Sequence, residues 1–398
     1  MPTPLDGIRV LDLSHVMAGP VCSMFLADLG AHVTKIEKLQ GGDDSRRMVP
    51  PTIGGESAAF LQVNRNKHGL ALDLKSPEGR KIIERLIERS DVLVENLRPG
   101  ALARLGFDDA RLEEINPRLV HCSITGFGQT GPYAARGGFD LIAQAMSGLM
   151  SITGEGAGRP PVKVGSPVTD ITSGLLAAIG VLAALMRRQS TGKGGKVDTS
   201  LFEAGIMLTY WQSAMALATG VSPGPLGSAH PLGAPYQAFE AADSWLVIGA
   251  SNQTNWLRLL EVLDRRDLAE DPRFSSNANR LAHLPELEAI LTEIFRTRPV
   301  ADWLADLEKA GVPAGPINSI NAMLRDEQTI ARNMIVETQH SSLGPIRTLG
   351  FPIKLSDMPP MPDKAAPVLG EDTARILSEA GFAKDEVAAF AAAGAINL

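Results

Sequence analysis

The sequence is poor in cysteine, aromatic residues and positive charge. Its 398 residues include two cysteines, Cys22 and Cys122, which are too few for the disulfide framework of a small secreted domain. The formal net charge of −7 excludes a general nucleic-acid-binding or anionic-membrane-binding surface. We therefore expect no nucleic-acid partner and no membrane partner, and any anionic small molecule must meet a local group of basic residues.

Long hydrophobic runs and targeting patterns are also absent. The longest apolar run, Leu175 to Met186, is shorter than the roughly 20 residues that a membrane-spanning helix needs. The N-terminal stretch MPTPLDGIRVLDLS has neither a charged-then-apolar signal pattern nor an Arg-rich transit pattern. We expect a cytoplasmic protein, and the chain length predicts two or more domains.

Several familiar cofactor and nucleophile motifs are missing. No G-x-G-x-x-G follows the first predicted strand, where the turn reads SHVMAGP, and there is no Walker motif or G-x-S-x-G elbow. The seven histidines form no metal-ligand pattern, so no metal is expected. GKGGK at Gly192 to Lys196 hints weakly at phosphate binding, but a glycine turn between a helix and a strand is the better interpretation.

Strand and helix patterns alternate along the first half of the chain. Buried-strand patterns at Ile8 to His15 and His32 to Lys38 flank an apolar helix, and the alternation continues to about residue 217. This predicts an α/β fold with an open, doubly wound, mostly parallel sheet. A Gly/Pro-rich stretch then leads into a hairpin and amphipathic helices. The predicted ranges are 1–219 for a Rossmann-like large domain, 220–321 for a smaller α+β domain, and 322–398 for a segment that completes the large domain.

One carboxylate stands out as a candidate nucleophile. Asp170 lies between a Pro/Gly-rich loop and the apolar run that begins at Ile171. An acid in this position is exposed by the loop and aimed by the start of the helix, which suits a nucleophile. The same position is also typical of an Asp that caps the helix N-terminus, and local sequence alone favours the cap.

Basic and amide residues gather at the ends of the predicted strands. Ligands of open parallel sheets bind outside the carboxyl ends of the strands, so these side chains could neutralise a phosphorylated ligand together. The alternative is that they are ordinary solvated surface residues. The residues are Lys38, Asn64, Arg65, Asn66, Lys67, Lys75, Asn96, Arg98 and Arg104.

Taken together, the motifs resemble the class III CoA-transferases, the family that includes formyl-CoA:oxalate transferase, the carnitine CoA-transferases and α-methylacyl-CoA racemase. The resemblance covers nearly the whole chain, and its SITGFGQTGP and GGDDSRR segments are most similar to the succinyl-CoA:dicarboxylate branch. It rests on VLDLSHVMAGPVCSMFLADLGAHVTKIE, GGDDSRR, VNRNKHGLALDLKSPEG, DVLVENLRPGALARLGF, CSITGFGQTGP, GGFDLIAQAMSG, VTDITSG, TGKGGKVDTSLFE, HPLGAPYQAF, VPAGPINS and PVLGEDT.

The resemblance implies a CoA-transferase in which Asp170 is the catalytic aspartate. It would form an anhydride and then an aspartyl-CoA thioester, with no cofactor beyond the coenzyme A thioester and no metal. It also implies a homodimer of interlocked ring-like subunits that binds an acyl-CoA and a carboxylic acid. The positions that match the family's CoA-binding residues are Ala18, Lys38, Leu72, Lys75, Asn96, Leu97 and Arg104.

Two residues that the resemblance places in the acceptor pocket differ from those of the oxalate branch and the racemases. Met17 stands where the oxalate branch has glutamine, and Phe139 stands where that branch has tyrosine and the racemases have histidine. Because Phe cannot carry a proton, Phe139 disfavours the racemase alternative. Arg46 or Arg47 could clamp the distal carboxylate of a dicarboxylate acceptor, or they could be surface charges or contact CoA phosphates. A CoA-binding protein without catalysis is a third possibility, disfavoured by the intact Asp170 loop.

Overall fold

The computed structural model describes residues 3–358 and 361–398, and the chain forms two compact units. The first consists of Met1–Leu149, Lys163–Ser213 and Glu327–Leu398, and the second of Met150–Val162 and Ala214–Asp326. The predicted ranges place residues 150–162 in the large domain, whereas in the structure they pack with the second unit. The Pro/Gly-rich composition of that loop gave no periodicity from which its packing partner could be predicted.

A parallel sheet of six strands forms the centre of the first unit, as predicted for an α/β doubly wound fold. The spatial order is β5-β2-β1-β6-β7-β8, and every neighbouring pair is parallel. Numbered within the sheet, this is the order 3-2-1-4-5-6, which places the topological switch point between β1 and β6. The strands are β1 Arg9–Asp12, β2 His32–Glu37, β5 Lys67–Ala71, β6 Val92–Glu95, β7 Val120–Thr125 and β8 Gly195–Ser200.

Helices cover both faces of this sheet, because successive side chains of each strand point to opposite faces and apolar residues occur on both. On β6, Val92 and Val94 pack in one core cluster with α1 and α7, while Leu93 packs in the other with α3, α5, α17 and α18. The helices of this unit are α1 Ala18–Asp28, α2 Ala58–Val63, α3 Pro77–Glu88, α4 Ala101–Arg104, α5 Asp109–Ile115, α6 Asp140–Met146, α7 Val168–Thr191, α8 Leu201–Met207, α16 Glu327–Ala331, α17 Thr373–Glu379 and α18 Lys384–Ala392.

Local sequence signals explain where the helices begin and end. The Ser76 side chain accepts a hydrogen bond from Gly79 N, and Pro77 occupies the first turn of α3, as the Ser-Pro pair predicts. At the end of α7, Gly192 adopts a left-handed conformation with φ +73° and the chain enters β8 at Gly195. The GKGGK segment is therefore a helix-ending glycine turn, in agreement with the preferred interpretation.

Short elements complete the first unit. The segments β12 and β13 form an antiparallel hairpin, and β3 and β4 form a second, shorter one. A 3₁₀ helix covers Asp44–Arg47 in this unit, whereas another, Leu149–Ile152, includes residues of both units. Helix α9, Tyr210–Thr219, also includes residues of both units. The strands of the two hairpins are β3 Thr52–Ile53, β4 Glu56–Ser57, β12 Ile335–His340 and β13 Gly344–Leu349.

The second unit is a small α+β domain with its own core. Strands β9 and β10 form the predicted antiparallel hairpin, and β11 adds to the β10 edge. Trp256, Phe295 and Trp303 are among the buried residues that fill its core. Its elements are β9 Tyr236–Glu240, β10 Trp245–Gly249, β11 Ala314–Pro316, α10 Gln253–Val262, α11 Asp267–Glu270, α12 Asn277–Ala282, α13 Leu284–Phe295, α14 Val300–Lys309 and α15 Ile320–Met323.

Helix α7 is longer than the sequence predicted. Its 24 residues extend past both ends of the apolar run Leu175 to Met186, and by length and composition alone it could cross a membrane. The apolar run therefore underestimates the length of the helix, because polar residues at both ends continue the helical conformation, and the expectation that no helix spans a membrane stays a prediction. Core helices of soluble proteins pass the same test, and Ala177, Val181 and Leu185 of α7 are buried in the core of the first unit.

Candidate active site

Asp170 lies inside the first turn of α7 and does not cap it. The helix begins at Val168, and the N-cap position is Pro167, which makes no side-chain capping bond. Asp170 is therefore the third residue of the helix, where a carboxylate faces the positive end of the helix dipole. The helix-cap interpretation of Asp170 is wrong, because the chain enters the helix three residues earlier than the apolar run suggests.

The Asp170 carboxylate is half-buried and poorly stabilised as an anion. Within residues 3–358 and 361–398, no hydrogen bond reaches its side chain, while its backbone carbonyl accepts one from Ser173 Oγ at 3.0 Å. Burial, together with the nearby charge of Asp140, raises the pKa of Asp170 to about 7. A half-buried carboxylate with this raised pKa ionises near neutral pH, and loss of part of its water shell without replacement donors is a surrounding that suits a nucleophile.

Asp140 and Gln144 of α6 position the backbone beside Asp170. Asp140 Oδ1 accepts hydrogen bonds from Thr169 N at 2.9 Å and from Thr169 Oγ1 at 2.7 Å. The fully buried Gln144 donates from Nε2 to Asp140 Oδ2 at 2.7 Å, and its Oε1 accepts from Val164 N at 2.9 Å. This network fixes the approach to α7, and the sequence prediction missed it. The only local signal was an acid at the first position of an amphipathic helix, which is common.

Close backbone contact between two glycines brings α6 towards the end of β7. A Cβ atom on Gly126 would lie 2.6 Å from the Cα atom of Gly138, so neither position has room for a side chain. Phe139 follows directly as the N-cap residue of α6, and 77% of its surface is exposed. The Phe139 side chain is thus available to a ligand, and it sits next to the Asp140 that influences Asp170.

The packing of α1 on α7 connects Asp170 to the switch point of the sheet. A Cβ atom on Gly174, one turn after Asp170, would lie 2.5 Å from the carbonyl oxygen of Ala18, so α7 needs glycine here to approach the start of α1. A Cβ on the neighbouring Gly19 would lie 3.5 Å from Cγ of Asn96. The structure therefore brings Asp170, Ala18 and Asn96, which are far apart in the sequence, into one region.

Asn96 holds the turn that joins β1 to α1. Its Oδ1 accepts from His15 N at 2.8 Å, and its Nδ2 donates to His15 O at 2.8 Å. These two bonds cross the switch point between β1 and β6, where an open α/β sheet binds its ligand. Ala18 is buried at the first position of α1, and Met17 is its half-buried N-cap residue. The side chain of Asn96 is thus committed to this turn.

The remaining positions that match CoA-binding residues lie after the carboxyl ends of the sheet strands. Lys38 follows β2, and Leu72 and Lys75 follow β5, while Leu97 and Arg104 come after β6. Leu72 is buried and Leu97 is half-buried, whereas Lys38, Lys75 and Arg104 are exposed. Three exposed cations after the carboxyl ends of the strands suit the phosphates of a nucleotide, and Lys38 is already paired with Asp44 at 3.2 Å.

Arg46 and Arg47 differ sharply in their surroundings. Arg46 is 10% exposed and donates from Nε and Nη2 to both oxygens of Glu37, at 2.7 and 2.8 Å. It also donates to Glu56 and to the carbonyl of Pro367, and it lies over the ring of Phe60. Its donors are therefore used within the protein.

Arg47 keeps its guanidinium accessible. Its side chain is 59% exposed and makes an ion pair with Asp44 at the protein surface. Of the two arginines proposed to clamp an acceptor, only Arg47 therefore has donors free to meet a second carboxylate, because Arg46 is occupied by Glu37.

A cavity of about 400 Å³ lies at the carboxyl end of β6, beside Leu97 of the positions that match CoA-binding residues. Leu97 and Arg98 contribute to one wall, and His121, Ser123 and Lys196 from β7 and β8 are also among its lining residues. Asp170 does not line it. No group of three or more His, Cys, Asp or Glu side chains arranged to hold a metal ion occurs in the part of the chain that the structure describes.

Comparison with known proteins decides the family. A family model described as CoA-transferase family III matches residues 5–373. The chain belongs to CoA-transferase family III. It is 39% identical over 376 residues to succinyl-CoA:glutarate CoA-transferase of Mus musculus, covering 94% of this chain and 86% of that protein.

Further relatives agree with this assignment. The chain is 40% identical over 382 residues to succinate–glutarate CoA-transferase of Agrobacterium fabrum, covering 94% of this chain and 95% of that protein. The crystal structure of a CAIB/BAIF family protein from Brucella suis superposes with a TM-score of 0.85 at 39% identity, covering 96% of this chain and all of that one. The protein is a class III CoA-transferase, an enzyme that uses CoA thioesters, as the motifs predicted.

Proposed function

We propose that this family III enzyme moves CoA from succinyl-CoA to a dicarboxylic acid, with Asp170 as the covalent carrier. The observation that carries the proposal is the state of Asp170: half-buried, without a hydrogen bond to its carboxylate in the described residues, and with its pKa raised to about 7. A structural carboxylate is normally paired when it leaves water. An unpaired one at a helix start beside the switch point is a candidate for chemistry.

The first half of the reaction loads CoA onto the enzyme. The Asp170 carboxylate attacks the carbonyl carbon of the donor thioester, the C–S bond breaks, and CoA leaves as a thiolate. The product is a mixed anhydride between Asp170 and the donor acyl group. The thiolate then attacks the Asp170 carbonyl of this anhydride, which releases the donor as a carboxylate and leaves an aspartyl-CoA thioester.

The second half repeats these steps in reverse with the acceptor. The acceptor carboxylate attacks the aspartyl thioester and expels CoA thiolate, giving a new anhydride. The thiolate attacks the acceptor acyl carbon, which forms the product thioester and regenerates the Asp170 carboxylate. One thioester and one carboxylate are present before and after, so the steps balance without an oxidant, ATP or a net proton.

The residues of the nucleotide site are proposed from motif matches and from their positions. Ala18 and Asn96 lie at the switch point, and Gly174 packs α7 against Ala18 one turn beyond Asp170. Exposed Lys38, Lys75 and Arg104 would neutralise the phosphates, and the remaining members, Leu72 and Leu97, would contact the less polar parts of CoA. This arrangement would direct the thioester end of the cofactor towards α7.

The relatives support a dicarboxylate as the acceptor. Two are named for succinyl-CoA or succinate together with glutarate, and a Haloarcula hispanica protein that is 39% identical over 394 residues is named for mesaconate. Arg47 is available to hold a distal carboxylate. Met17 and Phe139 supply apolar surface where the acid's carbon chain would lie, and Phe139 is exposed enough to contact it.

The racemase alternative needs a second proton-carrying group opposite Asp170. Phe139 stands at the position where the racemases of this family carry histidine, and its ring has no titratable proton. Incubation of a chiral 2-methylacyl-CoA in deuterated water should therefore give no deuterium at the α-carbon. Exchange with loss of chirality would establish racemisation instead. A protein that only binds CoA would show neither exchange nor transfer.

The deciding experiment combines a substrate panel with detection of the intermediate. Purified enzyme and succinyl-CoA are incubated with glutarate, citramalate, itaconate, oxalate and a monocarboxylic acid, and the CoA products are measured by mass spectrometry. We expect transfer to the longer diacids and a CoA adduct on the peptide containing Asp170. Equal transfer to monoacids would exclude a dicarboxylate clamp, and transfer without any Asp170 adduct would exclude the covalent route.

An interlocked homodimer in the cytoplasm remains a proposal that rests on the family resemblance. Analytical ultracentrifugation gives the oligomeric state directly: a mass of twice 42.3 kDa supports the homodimer, and a stable monomer excludes it. Because interlocked rings cannot separate without local unfolding, we also expect the dimer to persist on dilution well below the concentration at which ordinary dimers dissociate.

A further inference from the structure

The turn between β1 and α1 contains a residue in an unfavourable conformation. Val16 has φ +68°, a region that β-branched residues rarely occupy. The next two residues are Met17 and Ala18, which the proposed function places at the acceptor and CoA sites. A strained residue directly before them needs neighbours that hold it, since otherwise the chain would relax to negative φ and move both.

The side chain of Asp43 accepts a hydrogen bond from the backbone of Val16. Its Oδ1 accepts from Val16 N at 3.0 Å, and also from Ser45 N and Ser45 Oγ, each at 2.8 Å. Its Oδ2 accepts from Lys35 Nζ at 2.8 Å. The Asp43 side chain is fully buried, so all of these bonds form away from water, where they are strong.

Lys35 connects Asp43 to the residue before the turn. Its ammonium group donates to the Ser14 carbonyl oxygen as well as to Asp43, and the side chain is fully buried. Ser14 is itself held by Asp12 Oδ1, which accepts from Ser14 N at 2.9 Å and from Ser14 Oγ at 2.5 Å. Together with Asn96 on His15, every residue from 14 to 16 is therefore anchored by a polar side chain from another part of the unit.

We propose that Asp43, supported by Lys35, is a positioning residue for CoA transfer, because it holds Val16 in its strained conformation and thereby places Met17 and Ala18. This inference rests on the proposed function. Asp43 touches neither substrate in the proposal. Its effect passes through the backbone, so its loss should affect turnover and CoA binding through the position of the turn rather than through lost contacts.

A matched control exists at the other end of the same helix. Asp28, the last residue of α1, is as fully buried as Asp43 and forms a comparable ion pair with Arg65 at 2.6 Å and a bond from Asn66 at 2.8 Å. It lies ten residues from Ala18, roughly 15 Å along the helix. Asp28→Ala therefore removes a buried pair of the same kind without touching the turn.

The experiment compares Asp43→Ala, Asp43→Asn and Asp28→Ala by steady-state kinetics and by hydrogen exchange. We expect Asp43→Ala to lower kcat of the folded enzyme about 10²-fold, since a shift of about 1 Å at a reacting group has that effect. Asp43→Asn retains the oxygen that accepts from Val16 N, so it should recover most of kcat. Asp28→Ala should lower stability but leave kcat per folded enzyme unchanged.

Hydrogen exchange tests the positioning role of Asp43 without a measurement of enzyme activity. The amides of residues 14 to 18 should exchange faster in Asp43→Ala than in Asp28→Ala, even after correction for global stability. Equal exchange of this segment in the two variants, or full kcat in folded Asp43→Ala, would overturn the positioning role. If the wild-type enzyme transfers no CoA to any acid, the proposed function fails, and the exchange comparison still tests the turn. Should Asp43→Ala not fold, Lys35→Met, which removes the bonds to Ser14 O and Asp43, is compared with Asp28→Ala in the same way.

Discussion

Two groups of carboxylates in the first unit have opposite environments. Asp12 and Asp43 are fully buried beneath the turn after β1, and each accepts hydrogen bonds from at least two other groups. Asp170 is less buried, yet within the described residues nothing donates to its carboxylate. Burial alone would raise the pKa of all three carboxylates, so the difference between them comes from the cations and hydrogen-bond donors around each one.

The pKa directions follow from those partners. Burial would raise the pKa of Asp43, but the charge and hydrogen bond of Lys35 outweigh it and hold this pKa well below its usual range. The same holds for Asp12, where Lys35 and Lys67 overcome burial. For Lys67, burial lowers the pKa by more than the neighbouring Asp12 raises it, so its pKa falls to about 8. The paired carboxylates Asp12 and Asp43 thus favour the ionised form well below neutral pH, whereas Asp170, without such partners in the described residues, has a raised pKa, as the proposed nucleophile would.

Removal of Asp170 should have the largest effect. Asp170→Ala is expected to lower CoA transfer by more than about 10³-fold, because the reaction needs a covalent carrier and no other acid lies in the same turn of α7. The measurement is the rate of product CoA thioester formation. The control is Asp302→Ala, which removes an exposed acid from the same third position of α14. Residual activity above a few per cent in Asp170→Ala would show that Asp170 is not the carrier.

Replacement of Arg46 should remove its buried ion pair with Glu37 and lower the stability of the protein. Arg46→Met leaves Glu37 buried without its bidentate partner, and we expect a loss of about 3 kcal/mol or more in the free energy of unfolding. Arg47→Met removes a surface cation and should change stability by less than about 0.5 kcal/mol. Chemical denaturation measures both.

The same two variants test the acceptor clamp. Folded Arg46→Met should transfer CoA to mono- and diacids in the wild-type ratio, whereas Arg47→Met should selectively slow the diacids. A selective loss of diacids in Arg46→Met would mean that Arg46 leaves Glu37 when substrate binds.

The burial of Asp170, together with the charge of Asp140, should set the pH dependence of transfer. Transfer requires ionised Asp170, so the rate should rise with pH through about 7, and at about pH 6 roughly a tenth of the sites are ionised. Asp140→Asn removes the nearby negative charge and keeps an oxygen for Thr169, so the rise should move to lower pH and the rate at about pH 6 should increase several-fold. Gln144→Met disturbs the same hydrogen bonds without changing charge. An equal shift in Gln144→Met would assign the effect to geometry instead.

The smallest expected effect concerns stability. The pKa of Asp170 is about 7 in the folded protein and near its ordinary 3.8 in the unfolded chain. Between these values the folded state binds more protons, so Asp170 lowers stability progressively as pH rises from about 4 to 7. Asp170→Asn should therefore gain stability relative to wild type as the pH rises from about 5 to about 8. A difference that is the same at both pH values would contradict a raised pKa.

Much of the fold could be predicted from the sequence because its signals are local. The β1–α1–β2 pattern, the Ser76–Pro77 helix start and the glycine turn at Gly192 each depend on residues close together in the chain. The identity of Asp170 as the candidate nucleophile also followed from the motifs. The start of α7 was misjudged because Val168 and Thr169 are weak helix formers whose helical conformation depends on the Asp140 bonds to Thr169.

Only the tertiary structure decided which charged residues are free to act. Arg46 and Arg47 are adjacent and chemically identical, yet one is locked to Glu37 and the other is exposed. Likewise, Asp43 and Asp170 are both acids in short motifs, and their surroundings differ only because Lys35 reaches one while, within the described residues, no donor reaches the carboxylate of the other. The reason is that pKa and hydrogen bonding depend on neighbours within a few ångströms, which the chain supplies from distant positions.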